Sequence, residues 1–414
     1  MRVDLCSGRS RIIRPSYTGG RTQSEPAWGV AAPAGTPVVL TNPKGGASSS
    51  LIELTGARCE SAGRVMIGFF YRLVKPLLFR LDAETSHRMV LAMLSAWPIS
   101  DPPALPRELN TRVFGLEFSN PVGLAAGLDK DAAAPAAWQS LGFGFAELGT
   151  ITPRPQAGTS RPRIWRLPEQ RALINQLGFP SKGMEAVGRR IEEFRAKGLK
   201  LRIGINVGPN KDTPASRVAS DYAMLARRLG AIADFIVINL SSPNTPGLRA
   251  FQSPERLREI RAAIDEPRRS PVCYLVKLSP DIDAGELGAI CDTIVELGFA
   301  GIVATNTTLA RTEVGIAWDQ AGGLSGRPLQ ERSRDVVRAL HRLIGARVPI
   351  IGVGGIASAE DAYRHIRAGA SLVELYTGLI YEGPALAASI NAGLAALLRR
   401  DGFRSISDAV GVDA

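Results

Sequence analysis

The chain has 414 residues, 45% of them hydrophobic, which is ample for one large folded domain with extensions and unlike a disordered protein. Its net charge of +11 and pI near 9.8 favour anionic partners. There is no arginine-rich helix, no aromatic-and-basic RNA-binding signature and no Cys/His finger spacing, so nucleic acid is set aside as a partner. Cys6, Cys59, Cys273 and Cys291 are scattered without a C-x-x-C pair and read as reduced thiols rather than disulfides.

Residues 1–65 are dominated by Gly, Ser, Pro, Thr and Arg and hold no sustained apolar period. They read as a disordered extension or as a start assigned too far upstream, with no signal-peptide core. From Met66 the pattern changes. Phe70, Leu73, Val74, Leu77, Leu78 and Leu81 form one helical stripe, which Pro76 is expected to kink or divide, and a second helical stretch covers residues 84–97. Neither stretch has the roughly 20 apolar residues a membrane span requires. Packing on the body and lying in a membrane interface remain equally open from the pattern alone.

Beyond a proline-rich linker over 98–106, short apolar runs recur at 121–125, 145–148, 201–207, 235–240, 274–278, 301–305, 349–353 and 372–375. Stretches with helical periodicity separate them, as at 221–229, 253–264, 286–297, 333–343 and 359–368. Eight β-then-α units in one domain are most economically a (β/α)8 TIM barrel, an α/β fold whose parallel strands read as continuous apolar runs. A doubly wound sheet is the alternative. The expected organisation is an extension over 1–65, helices and linker over 66–106, and the barrel over 107–414.

In such a barrel the residues just after each strand build the site, and here they are strongly polar. Asn239, Ser241, Ser242 and Asn244 follow the fourth strand in a loop stiffened by Pro243, Pro246 and Gly247. Lys130 and Lys277 are charges on or beside apolar strands, costly unless an anion or a structural salt bridge pairs them. Asn175, Asn206, Asn239, Asn244 and Asn306 suit a flat heterocycle bearing amide and carboxylate groups. Glycine-rich loops at 322–326, 354–355 and 376–378 expose backbone N–H groups where barrels commonly hold phosphate. The histidines are His87, His341 and His365, and the last two fall in barrel helices. A metal site and histidine-driven acid–base catalysis are therefore disfavoured, and a bound cofactor, best a phosphorylated flavin, is expected to carry the hard chemistry.

Ala125-Ala-Gly-Leu-Asp-Lys130, Gly149-Thr-Ile-Thr-Pro-Arg-Pro155, Asn239-Leu-Ser-Ser-Pro-Asn-Thr-Pro-Gly-Leu248, Ala304-Thr-Asn-Thr-Thr308, Gly322-Gly-Leu-Ser-Gly-Arg-Pro-Leu329 and Ile351-Gly-Val-Gly-Gly355 occur in order. Together they resemble the quinone-dependent (class 2) dihydroorotate dehydrogenases, and the resemblance runs from about Met66 to the end. It implies an FMN-binding barrel that oxidises (S)-dihydroorotate to orotate in pyrimidine (UMP) biosynthesis and passes the electrons to a membrane quinone. It implies Ser242 as the base that removes the C5 proton while hydride leaves C6 for flavin N5. Lys130, Asn175, Gln176, Leu177, Gly178, Phe179, Asn239, Asn244, Asn306 and Thr307 would hold the substrate. Ala126, Gly127, Thr150, Asn206, Asn239, Lys277 and Thr305 would contact the flavin ring and ribityl chain, and Gly326, Gly355, Tyr376 and Thr377 its phosphate end. Lys277 would stabilise charge on the reduced ring.

The same resemblance implies that the N-terminal helices rest on the cytoplasmic side of the cell membrane as a peripheral anchor and open a quinone tunnel lined by His87, Arg166 and Tyr376. A monomer is expected. The sequence departs from the family pattern at Pro209, where lysine is usual, and at Gln176 and Pro180, where arginine and asparagine are common. A cytosolic acceptor such as fumarate or NAD, and a non-enzymatic basic barrel, remain as competing readings of the sequence.

Overall fold

The computed structural model describes residues 68–244, 248–265, 272–311, 318 and 321–414. The expected extension over 1–65 lies outside the described residues, as do Pro246 and Gly247 of the loop after the fourth strand. The apolar stripe near the start forms helix α1 (68–80), followed by α2 (Ala83–Ser95), whose first turn is capped where the Asp82 carboxylate accepts from the Thr85 N–H at 2.9 Å. Pro76 does not divide α1. Both Pro76 and Arg72, whose carbonyl loses its helical donor, are exposed, so water can replace the missing bond.

A hairpin of β1 (Thr111–Val113) and β2 (Leu116–Phe118) leads into the barrel. Its strands are β3 (Val122–Leu124), β4 (Phe145–Ile151), β7 (Arg202–Val207), β8 (Phe235–Asn239), β9 (Cys273–Leu278), β10 (Gly301–Ala304), β12 (Ile350–Val353) and β13 (Ala370–Leu375). All neighbours are parallel, and β13 pairs back onto β3, so the sheet closes and the (β/α)8 expectation holds. Each strand lies on or beside one of the eight apolar runs, because a parallel strand between barrel interior and helix layer is buried on both faces. The outer layer includes α3 (Pro135–Ser140), α4 (Met184–Ala196), α5 (Val218–Leu229), α6 (Pro254–Asp265), α7 (Ala284–Glu296), α8 (Gln330–Ile344) and α9 (Ala359–Arg367). The chain ends in α10 (Thr377–Glu382) and α11 (Leu386–Asp401).

The amino end of the barrel is a packed core. Phe145 and Phe235 lie with ring centroids 6.0 Å apart, and Phe118 from the hairpin meets Phe145 edge-on at 5.5 Å. A Cβ on Gly123 would fall 2.2 Å from the Phe145 ring, and one on Gly204 2.2 Å from that of Phe235, so the small neighbours make room for the rings. Burying each ring contributes roughly 1.5–3 kcal/mol. With the lower barrel filled, open space is left at the carboxyl end.

A three-stranded antiparallel sheet partly roofs that end: β5 (Ile164–Leu167), β6 (Ala172–Asn175) and β11 (Gly323–Gly326). The sequence reading does not anticipate it. Its strands are four residues each, too short for a period to show, and β11 comes from the loop after β10, far along the chain from its partner β6.

Candidate active site

Three ionisable side chains meet on the barrel axis at the base of the open space. Lys277 of β9 places Nζ 2.6 Å from Glu147 of β4 and 3.7 Å from Glu374 of β13, and all three side chains are at most 6% exposed. Burial works against ionisation of Glu147, but the ammonium beside it foremost, then the neighbouring Glu374 carboxyl and the Asn206 amide, outweigh burial and hold its carboxyl below the usual range. Burial likewise opposes charge on Lys277, but the two carboxyls hold it above the usual value. Burial and the Glu147 charge both push Glu374 well up. Neither Glu147 nor Glu374 is among the residues expected from sequence. The only signal was a lone acid in the middle of an apolar strand.

Above this floor runs a chain of amides. Asn206 donates to Glu147 at 2.5 Å, and its oxygen accepts from the Thr150 hydroxyl at 2.6 Å and from the Asn239 amide at 3.0 Å. The Asn239 oxygen in turn accepts from Asn306 at 3.3 Å and from the Ser241 N–H at 3.3 Å. Each amide is thereby held with a known end forward, because a flipped one would face donor to donor. Asn206 is wholly buried behind the wall, whereas Asn239 and Asn306 also line a cleft of about 1050 Å³ that opens toward solvent.

That cleft gathers most of the residues expected from sequence. Ala126, Gly127, Lys130, Thr150, Asn175, Leu177, Gly178, Phe179, Ser242, Asn244, Lys277, Thr305, Thr307, Gly326, Gly355, Tyr376 and Thr377 all line it. Gln176 does not line it: its backbone N–H donates to the Arg163 carbonyl at 2.8 Å, and its carbonyl accepts from the Thr159 hydroxyl. The two serines after β8 separate. Ser241 is fully buried and accepts from Asn306 at 2.9 Å, while Ser242 faces the cleft, its Oγ accepting the Asn244 N–H at 3.2 Å. The Asn244 amide donates to Asn175 at 3.1 Å, bridging the loop to the roof sheet.

Lys130 donates to the Gly127 carbonyl, and burial foremost, with Arg163, lowers its pKa to about 8 against the pull of Asp131 and Glu84. Its neighbour Asp129 is structural, accepting from the Ala133 and Ala134 N–H groups at 2.7 and 2.9 Å and from the Trp138 indole at 2.9 Å. At the opposite end Gly355 has φ +69, and a Cβ there would lie 2.5 Å from that of Gln330. Only glycine lets the chain turn there, at the edge of the cleft.

A second cleft, of about 1640 Å³, lies between α2 and the barrel and shares Lys130, Leu177 and Tyr376 with the first. His87 and Tyr376 line it. Burial foremost, with Lys130, lowers the His87 pKa to about 4, so its imidazole is neutral. Arg166 lines neither cleft; its guanidinium stacks 4.8 Å from the Phe79 ring centroid and donates to the Leu81 carbonyl at 2.8 Å. His341 and His365 lie in α8 and α9, away from both clefts, and no cluster of three metal-ligating side chains occurs among the described residues.

Helix α1 docks on the barrel through one face only. Tyr71 donates to the Ile380 carbonyl at 2.5 Å, Lys75 to that of Tyr381 at 2.7 Å, and Phe79 meets the Tyr381 ring edge-on at 5.5 Å. On the other side Phe69, Phe70, Leu73 and Leu77 of α1 are each at least 60% exposed, and Met89 and Met93 of α2 are exposed as well.

A closed parallel barrel with a polar cleft at its carboxyl end, over a buried charged floor, defines a TIM-barrel enzyme. The family model described as dihydroorotate dehydrogenase matches residues 108–398. The chain is 47% identical over 366 residues to the dihydroorotate dehydrogenase (quinone) of Roseiflexus castenholzii, covering 83% of this chain and 97% of that one. It is 49% identical over 355 residues to that of Anaeromyxobacter dehalogenans, covering 82% and 96%. The structure of ligand-free DHODH from Eimeria tenella superposes with a TM-score of 0.75 at 39% identity, covering 80% of this chain and 99% of that one. The protein belongs to the dihydroorotate dehydrogenase family.

Proposed function

We propose that the protein oxidises (S)-dihydroorotate to orotate in pyrimidine biosynthesis, with FMN as cofactor and a membrane quinone as final electron acceptor. The observation that carries this reading is the convergence of Ser242, Lys130, Asn175, Asn239, Asn244 and Asn306 on one cleft above Lys277. FMN fits the residues present. Thr305 Oγ1 and both Glu374 oxygens are buried without a hydrogen-bond partner in the protein, and both residues line the cleft. Glycines at Gly326 and Gly355, with Thr377, suit a phosphate at the ends of the last strands.

Bound FMN supplies the acceptor for the substrate's hydride. Ser242 removes the C5 proton while passing its own hydroxyl proton to solvent in the open cleft; the Asn244 N–H on its Oγ leaves an oxygen lone pair free to accept the incoming one. Lys130 pairs with the substrate carboxylate, an anion that relieves the cost of burying its ammonium. Asn175, Asn239, Asn244, Asn306 and Thr307 read the ring amides, with Leu177, Gly178 and Phe179 closing over them. Asn206 acts through Asn239 and Gln176 through its backbone, since neither reaches the cleft. Pro180 borders the second cleft, so that departure from the family pattern bears on the entrance rather than on the proton transfer.

The second cleft is the quinone path, with neutral His87 and Tyr376 beside the uncharged quinone headgroup. The exposed apolar face of α1 and α2 rests on the cytoplasmic surface of the membrane as a peripheral anchor. Among the described residues no helix is long and apolar enough to cross a membrane. Residues 66–106 thus form the anchoring unit and 107–414 a monomeric catalytic barrel. The test is the flavin spectrum of the purified protein: dihydroorotate should bleach it, and a quinone analogue should restore it faster than fumarate or NAD. A colourless protein that takes up no FMN, or equal reoxidation by fumarate, would refute the reading.

A further inference from the structure

The floor of the first cleft holds two carboxyls and one ammonium, and the charges do not balance if all three ionise. Lys277 lies at hydrogen-bond distance, 2.6 Å, from Glu147 but 3.7 Å from Glu374. No donor reaches either Glu374 oxygen, although the residue is 1% exposed and borders the cleft. The barrel supplies no other charge to it. Its register partners on the flanking strands are Val353 and Gly123, Glu147 and Lys277 face it across the barrel, and Lys130 and Tyr376 border the cleft above. An ionised Glu374 would have a like charge beside it and no hydrogen bond, its nearest cation 3.7 Å away and already bonded to Glu147, whereas a protonated one removes both penalties.

We propose that Glu374 is the proton carrier of a Glu147–Lys277–Glu374 triad, a neutral hydrogen-bond donor facing the cofactor rather than a second counter-ion to Lys277. The triad is then neutral as a whole. The positive charge of Lys277, matched by Glu147 alone, stays available to the electron-rich form of a cofactor above it, and a second carboxylate would cancel that help. The inference rests on the flavin reading of the cleft and assigns Glu374 a cofactor-positioning role within it.

Glutamine copies the shape and donor capacity of a protonated glutamate, so Glu374→Gln separates the alternatives. At neutral pH the variant should bind FMN within about threefold of the wild type and with the same midpoint potential. At alkaline pH, where the wild-type carboxyl loses its proton, the wild-type potential should fall below that of the variant. Infrared spectra should show a protonated-carboxyl band in the wild type that is missing from Glu374→Gln. A midpoint potential clearly higher in the variant at neutral pH would mean that Glu374 was already ionised, and would overturn the proposal. So would a protein that binds FMN but lacks the band. A protein that takes up no FMN yet shows the band would remove the cofactor reading while supporting the proton assignment.

Discussion

Glu84 of α2 and Arg163, just before β5, meet in a two-pronged ion pair, Arg163 donating through Nε at 2.9 Å and through Nη2 at 2.7 Å. The same guanidinium donates to the Ala157 and Thr159 carbonyls at 2.6 and 2.8 Å, so one side chain fastens the helical pair to the roof over both clefts. Removing one partner of a fully buried pair costs roughly 3–5 kcal/mol, and less here because Glu84 is 12% exposed and Arg161 also reaches it at 3.0 Å. Glu84→Ala should therefore loosen α2 locally. Protease cleavage within 68–106 is expected to accelerate about tenfold while the melting temperature of the barrel shifts little; unchanged cleavage would show that the pair does not hold the helices.

Ser242→Ala removes a cleft-facing hydroxyl and leaves the backbone geometry of its loop intact. Turnover should fall by roughly 10²–10⁴, the usual worth of a positioned acid–base group. FMN content and orotate affinity should be retained. Normal turnover in this variant would remove Ser242 from the proton transfer.

Lys130 titrates near the working range, its pKa lowered to about 8. Below that pH it carries the charge that a carboxylate ligand needs; above it the charge is lost, so affinity falls as pH rises. Orotate binding, followed through the flavin spectrum, should be level from about pH 6 to 7 and weaken by up to about tenfold per pH unit above about 8. Lys130→Met should bind weakly at every pH with no such bend. A Lys130→Met variant that bound orotate as tightly as the wild type would exclude Lys130 as the carboxylate partner.

Arg249 joins three loops. It donates to the Ser241 carbonyl at 3.3 Å, the Asp281 carboxylate at 2.8 Å and the Thr307 carbonyl at 3.0 Å. Arg249→Lys keeps the charge but cannot span three acceptors with one ammonium. The rate of flavin reduction by dihydroorotate is expected to fall about tenfold with FMN content unchanged, because the loop carrying Ser242 loses its anchor. Equal rates would show that the loop is held by its own turns.

Deleting residues 66–97 should spare flavin reduction by dihydroorotate but weaken quinone reduction and sedimentation with anionic vesicles. The exposed apolar face of α1 and α2 and one wall of the second cleft would be lost together. Unchanged quinone kinetics would refute the proposed path.

The barrel was legible because its signal is local. Each of the eight strands is buried on two sides, and a buried parallel strand must be an apolar run whatever surrounds it. Most of the cleft was legible for a related reason: a barrel brings all its strand ends to one rim, so the residues after the apolar runs are nearly the residues of the wall. Lys130, Ser242, Asn239 and Asn306 could be named that way, and all four line the cleft. Asn206 could not be told from them, since its side chain is consumed by Glu147, Thr150 and Asn239 and only the fold decides which amides are spent internally. In α1 the stripe was visible, but not that Tyr71, Lys75 and Phe79 would dock while Phe70 and Leu77 stay exposed.

By itself the sequence determined the eight-unit barrel, the polar rim and the helical pair in front of it, because spacing along the chain encodes burial on a strand or a helix face. Only the tertiary structure decided the Glu147–Lys277–Glu374 floor, the Glu84–Arg163 fastening and the roof sheet. Each joins residues from distant parts of the chain, and the energy of a buried charge depends on which partner closes against it rather than on its neighbours in sequence.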